Sequence, residues 1–127
     1  MCIRDRNKPN CHIVLCGGTF HRKNQVFESS AESSILDSVR LTWAFVTAAG
    51  VSQEFGVTCF NFNEVEVKQK VLRQAQQRVL LADFSKFDTV RTAHFASLAD
   101  FQYVVSDKKI PQAYKEAIQA SGAQLLV

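Results

Sequence analysis

Short apolar runs that do not alternate with polar residues constrain this chain more than any other feature. The first is His12-Ile13-Val14-Leu15-Cys16, stopped by Gly17-Gly18. Leu41-Thr42-Trp43-Ala44-Phe45-Val46 ends at Thr47-Ala48-Ala49-Gly50, and Val79-Leu80-Leu81-Ala82 ends at Asp83-Phe84-Ser85-Lys86-Phe87. Phe101 to Val105 leads into Ser106-Asp107, and Gln124-Leu125-Leu126-Val127 is the last run. Runs of this kind, closed by glycine or small polar residues, read as strands covered on both faces. An exposed antiparallel sheet would show alternation instead.

Helical stretches separate the runs. Ser29 with Glu32 is a capping-box pair, and Ala31, Ile35, Leu36 and Val39 recur at helical spacing, so a helix is expected over about 30–39. Asn63 with Glu66 makes a second such pair. Behind it Val67, Val71, Leu72 and Ala75 share one face, while Lys70, Arg73, Gln74 and Gln77 share another, which predicts a helix over about 64–77. A long loop is expected between Val51 and about Phe62. Pro111 suits the first turn of a last helix, with Tyr114, Ala117 and Ile118 inward and Gly122 as its stop. Strands alternating with helices predict an α/β fold, a parallel sheet with helices on both faces.

Composition narrows the class further. Hydrophobic residues make up 46% and charged residues 21% of 127 residues, which fits one globular domain and excludes global disorder. The net charge of +3 is scattered without a basic run, so a mixed solvated surface is expected in place of a nucleic-acid face. The four cysteines, Cys2, Cys11, Cys16 and Cys59, form no CxxC pair or zinc spacing, and the three histidines are dispersed. Free thiols suit a reducing cytoplasm. The chain holds no apolar stretch of membrane-spanning length, and residues 1–6 hold no apolar signal core. No metal, no cofactor and no membrane partner is expected. Residues 1–11 fit neither structural period and read as a fragment start or a non-native leader ahead of a domain spanning 12–127.

In an open parallel sheet, ligands bind beyond the carboxyl ends of the strands. That rule selects Gly17-Gly18-Thr19, Ala48-Ala49-Gly50, Asp83-Phe84-Ser85-Lys86 and Ser106-Asp107, and it predicts Gly18, Gly50, Lys86 and Asp107 on one edge. Lys86 is either the contact to an anionic or hydroxylated ligand or a surface lysine paired with Asp83 or Asp88. The glycine pair at 17–18 either admits a ligand close to the backbone or simply makes a turn. The segment Gly56-Val57-Thr58-Cys59-Phe60-Asn61-Phe62-Asn63 leads into a helix start. Glu64 and Glu66 in that first turn would repel an anion, so Thr58 and Asn61 are expected to meet neutral hydroxyls, or else the segment is a packing loop anchored by Phe60 and Phe62. The sequence contains no GxGxxG and no P-loop pattern.

These same motifs carry a resemblance. Leu15-Cys16-Gly17-Gly18-Thr19-Phe20, Thr47 to Ser52, Gly56-Val57-Thr58-Cys59-Phe60-Asn61 with Glu64 and Val67-Lys68, and Leu81-Ala82-Asp83-Phe84-Ser85-Lys86-Phe87 resemble, in order and spacing, elements of the DeoR/GlpR family. Arg91 through Asp100-Phe101 to Ser106-Asp107 continues the match, which covers about 12–127. The resemblance implies a sensor domain with a fold similar to ribose-5-phosphate isomerase, here only in part. It implies a transcriptional repressor released from its operator by a phosphorylated sugar, deoxyribose 5-phosphate or a close relative. Lys86, Lys68, Thr58, Asn61, Gly50 and Gly18 are the expected ligand-binding residues, with no catalytic residue, and the whole protein is expected to be a homo-oligomer. The family's N-terminal helix-turn-helix and its Asp-x-Gly-Thr-Thr-like phosphate loop do not occur in these residues, so operator DNA is expected to be contacted only through that absent domain.

A sugar-phosphate isomerase-like enzyme of the same fold is the alternative. Those enzymes resemble this chain around Ser85-Lys86, but they need a general-base glutamate. Counting back from Lys86 without gaps puts Lys68 at that position, and Thr47 to Ser52 contains no acid. A lysine ammonium is a poor base. Lys68 is then either a ligand contact or a solvated charge on a helix surface.

Overall fold

The computed structural model describes residues 10, 12–14, 16, 18–22, 26–28 and 35–127. Four parallel strands form the main sheet: β3 (Leu41–Thr47), β6 (Ala75–Leu81), β8 (Tyr103–Val105) and β9 (Gln124–Leu126), in the order β3-β6-β8-β9. A small antiparallel sheet is built from β4 (Gly50–Ser52), β5 (Gly56–Cys59) and β7 (Ala93–Ala96). Helix α1 (Phe62–Gln74) links the small sheet to β6, and α2 (Gln112–Ala120) makes the crossover from β8 to β9. A separate antiparallel pair joins β1 (Thr19–His21) to β2 (Val26–Glu28). The expected α/β class with a parallel sheet is therefore what the chain adopts.

The core lies on one face of the main sheet. Val46, Leu80 and Val104 point into it and meet Leu72 of α1, Tyr114 and Ile118 of α2, and Val51, Val57 and Phe95 of the small sheet. Leu80, Val104 and Ile118 are fully buried, and each such side chain contributes about 1.5–3 kcal/mol on burial. Both described helices pack on this face. On the opposite face Trp43 and Phe45 remain 47% and 64% exposed, so helix cover there is not supplied by α1 or α2.

Several boundaries differ from the sequence reading. Residues 12–14 and 16 form no strand, and Ile13 and Val14 are exposed. None of the described strands pairs with this run, and an apolar run without a ladder partner leaves its backbone groups to water. Of the helix expected over about 30–39, residues 29–34 lie outside the described residues, and Ile35–Asp37 form a single 3-10 turn.

The expected loop after Val51 is a hairpin. Ser52 Oγ accepts the amides of Glu54 and Phe55 at 3.3 and 3.2 Å, and Gly56 adopts φ +70°, which closes a turn whose middle residues carry no turn signature.

Helix α1 starts and ends earlier than expected. Asn61, not Asn63, is its N-cap, and its side chain donates to Glu64 Oε1 at 3.0 Å instead of capping the backbone. The helical pattern through Gln77 yields to strand from Ala75, because pairing with β3 starts at Leu41↔Ala75. The Gln102 carboxamide oxygen accepts from both Arg78 N at 2.9 Å and Arg78 Nε at 3.2 Å, which satisfies a polar residue inside the sheet.

Helix α2 and β9 match the reading closely. Pro111 is the N-cap of α2, one position ahead of the first turn, and Gly122 at φ +85° follows the helix end.

Candidate functional site

Parallel strands put their carboxyl ends on one edge, and three expected segments gather there. Thr47 ends β3, Asp83-Phe84-Ser85-Lys86 follows β6, and Ser106-Asp107 follows β8. The edge is tied together by backbone bonds, with Ala82 N donating to Val105 O at 3.1 Å and Ser106 N to Leu126 O at 2.9 Å.

Lys86 is carried by a 3-10 turn, Phe84–Lys86. Asp83 caps it, accepting Ser85 N at 2.9 Å and the Ser85 hydroxyl. These two bonds, side-chain first, hold the Asp83 carboxyl below its ordinary value of 3.8. Asp107 braces the same turn, with Oδ2 accepting Phe84 N at 2.9 Å and Oδ1 accepting Lys109 N at 2.8 Å. The Lys86 ammonium itself stands 3.9 Å from Asp83 Oδ2, and its side chain is 38% exposed. A contact that long and open contributes little, so the lysine keeps donors for another partner. On the same edge, Ser106 Oγ is buried and has no hydrogen-bond partner among the described residues. An orphaned buried hydroxyl is unusual in a folded protein.

Lys68 reaches the same edge from α1. Its ammonium donates to Thr47 O at 2.7 Å, pairs with Glu64 at 3.3 Å, and lies 4.9 Å from the centre of the Phe95 ring. It is a largely covered lysine with specific partners and not a solvated helix charge.

The other expected residues sit elsewhere. Thr58 is 2% exposed; its hydroxyl donates to Gly50 O at 3.1 Å and accepts Arg91 N at 2.9 Å. Gly50 is buried against it, and a Cβ there would stand 2.4 Å from Thr89 O. Close approach of the protein's own backbone is what this glycine permits. Asn61 marks the start of α1. Gly18, at φ +115°, precedes β1 and does not follow a strand of the main sheet. The structure thus brings Lys86 and Lys68 to one edge, joins Gly50 to Thr58 in a buried knot, and links Asn61 to Lys68 through Glu64.

Sequence reasoning missed Phe95 beneath Lys68 and the hydroxyl role of Tyr114, which was read only as an inward apolar residue. An open hollow of about 550 Å³ lies over the small sheet, lined by Ser52, Phe55, Thr58, Arg91, His94 and Leu98 among others, and neither lysine lines it. It mixes Glu54 with Arg91, so the sheet edge with its braced lysine and orphan hydroxyl is the better site. Among the described residues no group of acidic, histidine or cysteine side chains is placed to hold a metal, and no helix is long and apolar enough to cross a membrane.

The model of the DeoR C terminal sensor domain matches residues 4–108, and the chain belongs to that family of transcriptional regulator domains. The deoxyribose operon repressor of Escherichia coli (strain K12) is 38% identical over 121 residues, covering 95% of this chain and 48% of the relative. The HTH-type transcriptional repressor GlcR of Bacillus subtilis (strain 168) is 28% identical over 95% of this chain and 46% of its own length. The HTH-type transcriptional regulator GolR of Listeria innocua is 25% identical over 94% and 47%. The chain spans about half the length of the curated relatives it matches.

Proposed function

We propose that this chain is the effector-sensing part of a transcriptional repressor that leaves its operator when a phosphorylated sugar binds, with deoxyribose 5-phosphate as the effector. The observation that carries this is Lys86, presented by a turn that Asp83 and Asp107 brace yet itself loosely paired, on the same carboxyl edge of the sheet as a Ser106 hydroxyl that has no partner among the described residues. A cation and a hydroxyl at that edge suit a ligand with phosphate and hydroxyl oxygens. The 38% identity to a repressor named for deoxyribose supports the choice of sugar.

In this reading Lys68 lines the sugar side of the site, and Thr58, Gly50, Asn61 and Gly18 shape or border it. Operator DNA is read by a helix-turn-helix outside residues 12–127, in a cytoplasmic homo-oligomer. Lys68 speaks against the isomerase alternative: an ammonium that donates to Thr47 O and pairs with Glu64 is a poor base.

The test is operator binding by the full-length protein, titrated with deoxyribose 5-phosphate. Loss of one charge-assisted hydrogen bond, about 1.5–3 kcal/mol, makes Lys86→Ala require roughly 10- to 150-fold more effector for release. Operator affinity without effector stays as in the parent. Equal release by both proteins sinks the site assignment.

A further inference from the structure

Lys86 has a second anchor on its downstream side, and it comes from α2. Phe87 follows Lys86, is buried, makes a parallel bridge with Val51, and packs its ring 5.0 Å from the ring of Tyr114. Asp88 then turns into the left-handed region at φ +55°, and among the described residues it is the sole non-glycine residue with positive φ. Such a backbone persists only where its surroundings hold it.

The holder is one hydroxyl. Tyr114 Oη accepts the Asp88 amide at 3.2 Å and donates to Asp88 Oδ1 at 2.9 Å. Val51 O lies at 3.2 Å from the same oxygen. A phenol has one proton, so the shorter contact to the carboxylate takes it and the Val51 carbonyl is the weaker partner. One side chain therefore grips Asp88 by both its amide and its carboxylate. Tyr114 is 3% exposed, so its hydroxyl is presented to Asp88 from inside the core.

The grip fixes the exit of the turn that presents Lys86, just as Asp107 fixes its entry at Phe84. We infer that Tyr114 is a positioning residue for the effector site: its hydroxyl, acting through Asp88, sets the aim of the Lys86 ammonium. The inference rests on the reading of Lys86 as the effector contact, and it adds that sensing depends on a buried hydroxyl of α2 that no ligand touches. Oriented cations bind anions better than mobile ones, because less freedom is lost on binding.

The experiment is calorimetric titration of the full-length protein with deoxyribose 5-phosphate, for the parent, Tyr114→Phe, Lys86→Ala and the double variant. Phenylalanine keeps the ring on Phe87 and deletes only the hydroxyl. Tyr114→Phe is expected to weaken binding roughly 3- to 10-fold, the scale of one modest hydrogen bond. In the Lys86→Ala background it is expected to change nothing, because no ammonium remains to aim. Asp88→Asn, which keeps an acceptor oxygen and tolerates the left-handed backbone, should bind as the parent does.

Tyr114→Phe binding like the parent while Lys86→Ala is impaired overturns the positioning role. So does an equal loss from Tyr114→Phe in both backgrounds, which marks a purely structural hydroxyl. Parent-like binding by Lys86→Ala overturns the Lys86 reading itself, and the positioning role falls with it. Should Tyr114→Phe fail to fold, Asp88→Gly removes the carboxylate at no backbone cost. It must then show the same dependence on Lys86.

Discussion

The Thr58 hydroxyl donates to the Gly50 carbonyl oxygen at 3.1 Å and joins the first and second strands of the small sheet through a side chain. Thr58 Oγ1 itself accepts the Arg91 amide at 2.9 Å, so three segments meet at that one atom. Thr58→Val keeps the shape and leaves Gly50 O and Arg91 N without that partner. It should lower stability by about 1–3 kcal/mol, while Thr58→Ser loses less. Gly50→Ala should cost a similar amount for a different reason, since its Cβ would press to 2.4 Å from Thr89 O and overpacking costs about 1–3 kcal/mol. Denaturant midpoints of the three variants check this. A valine variant as stable as the parent would show that the hydroxyl holds nothing together.

That knot also shows where a sequence is readable. The runs at Leu41–Val46 and Val79–Ala82 announced β3 and β6, neighbouring strands of the parallel sheet, although Trp43 and Phe45 of β3 stay exposed on one face. The rule that ligands lie past strand ends put Lys86 and Asp107 on one edge. That rule also selected Gly50, while the lead into a helix start selected Thr58; what the sequence hid is that Gly50 packs on Thr89 and Thr58 bonds Arg91, both distant in sequence. Ala75 to Gln77 read as helix because their local pattern is helical, and only the ladder to Leu41–Trp43 converts them to strand. The β4–β5 hairpin was hidden because Gln53-Glu54-Phe55 carries no turn residue. Tyr114 gave away its buried ring by helical spacing, but nothing in the spacing points its hydroxyl at Asp88.

Acid should loosen the turn that carries Lys86 only below the range in which an ordinary aspartate protonates. Asp83 accepts two bonds from Ser85, which depress its carboxyl below the ordinary 3.8. A carboxyl whose folded pKa is depressed stabilises the fold above its unfolded pKa, and that contribution is lost as pH falls through the lower folded value. Because Asp83 is exposed, the effect is local to the turn. Carboxyl NMR titration should find Asp83 ionising below an ordinary aspartate, and Ser85→Ala should move it back upward. An Asp83 that titrates at the usual position, indifferent to Ser85, refutes the cap.

Thiol chemistry should separate Cys59 from Cys16. Cys59 is buried in the core, and burial pushes its thiol pKa up from 9.0, against a smaller opposing pull from Lys68. Its Sγ–H also points to Asn61 O at 3.5 Å. Cys16 is exposed. Thiolate is the reactive form, so iodoacetamide near pH 8 should label Cys16 in the folded protein and reach Cys59 only after denaturation. Peptide mapping by mass spectrometry reads both sites. Labelling of Cys59 at the rate of Cys16 would mean that β5 opens far more often than a core strand should.

Trp43 is the chain's one tryptophan and lies on the sheet face that neither α1 nor α2 covers. Its ring stacks on Phe45 at 6.2 Å and tilts against Tyr103 at 5.6 Å, while 47% of the residue stays exposed. Aromatic neighbours on one side and water on the other leave it much of the hydration it has when unfolded. Truncation therefore removes little buried area. Trp43→Ala should cost well under the roughly 3–5 kcal/mol expected when a buried aromatic is cut to alanine. Phe101 is 2% exposed within the core and supplies the reference, since Phe101→Ala should cost that full amount. In the parent chain, indole emission should be long in wavelength and readily quenched by iodide. Both measurements address the same surface, one through energy and the other through access. If Trp43→Ala proves as destabilising as Phe101→Ala, and iodide fails to reach the indole, then this face is covered in solution by something other than the two helices.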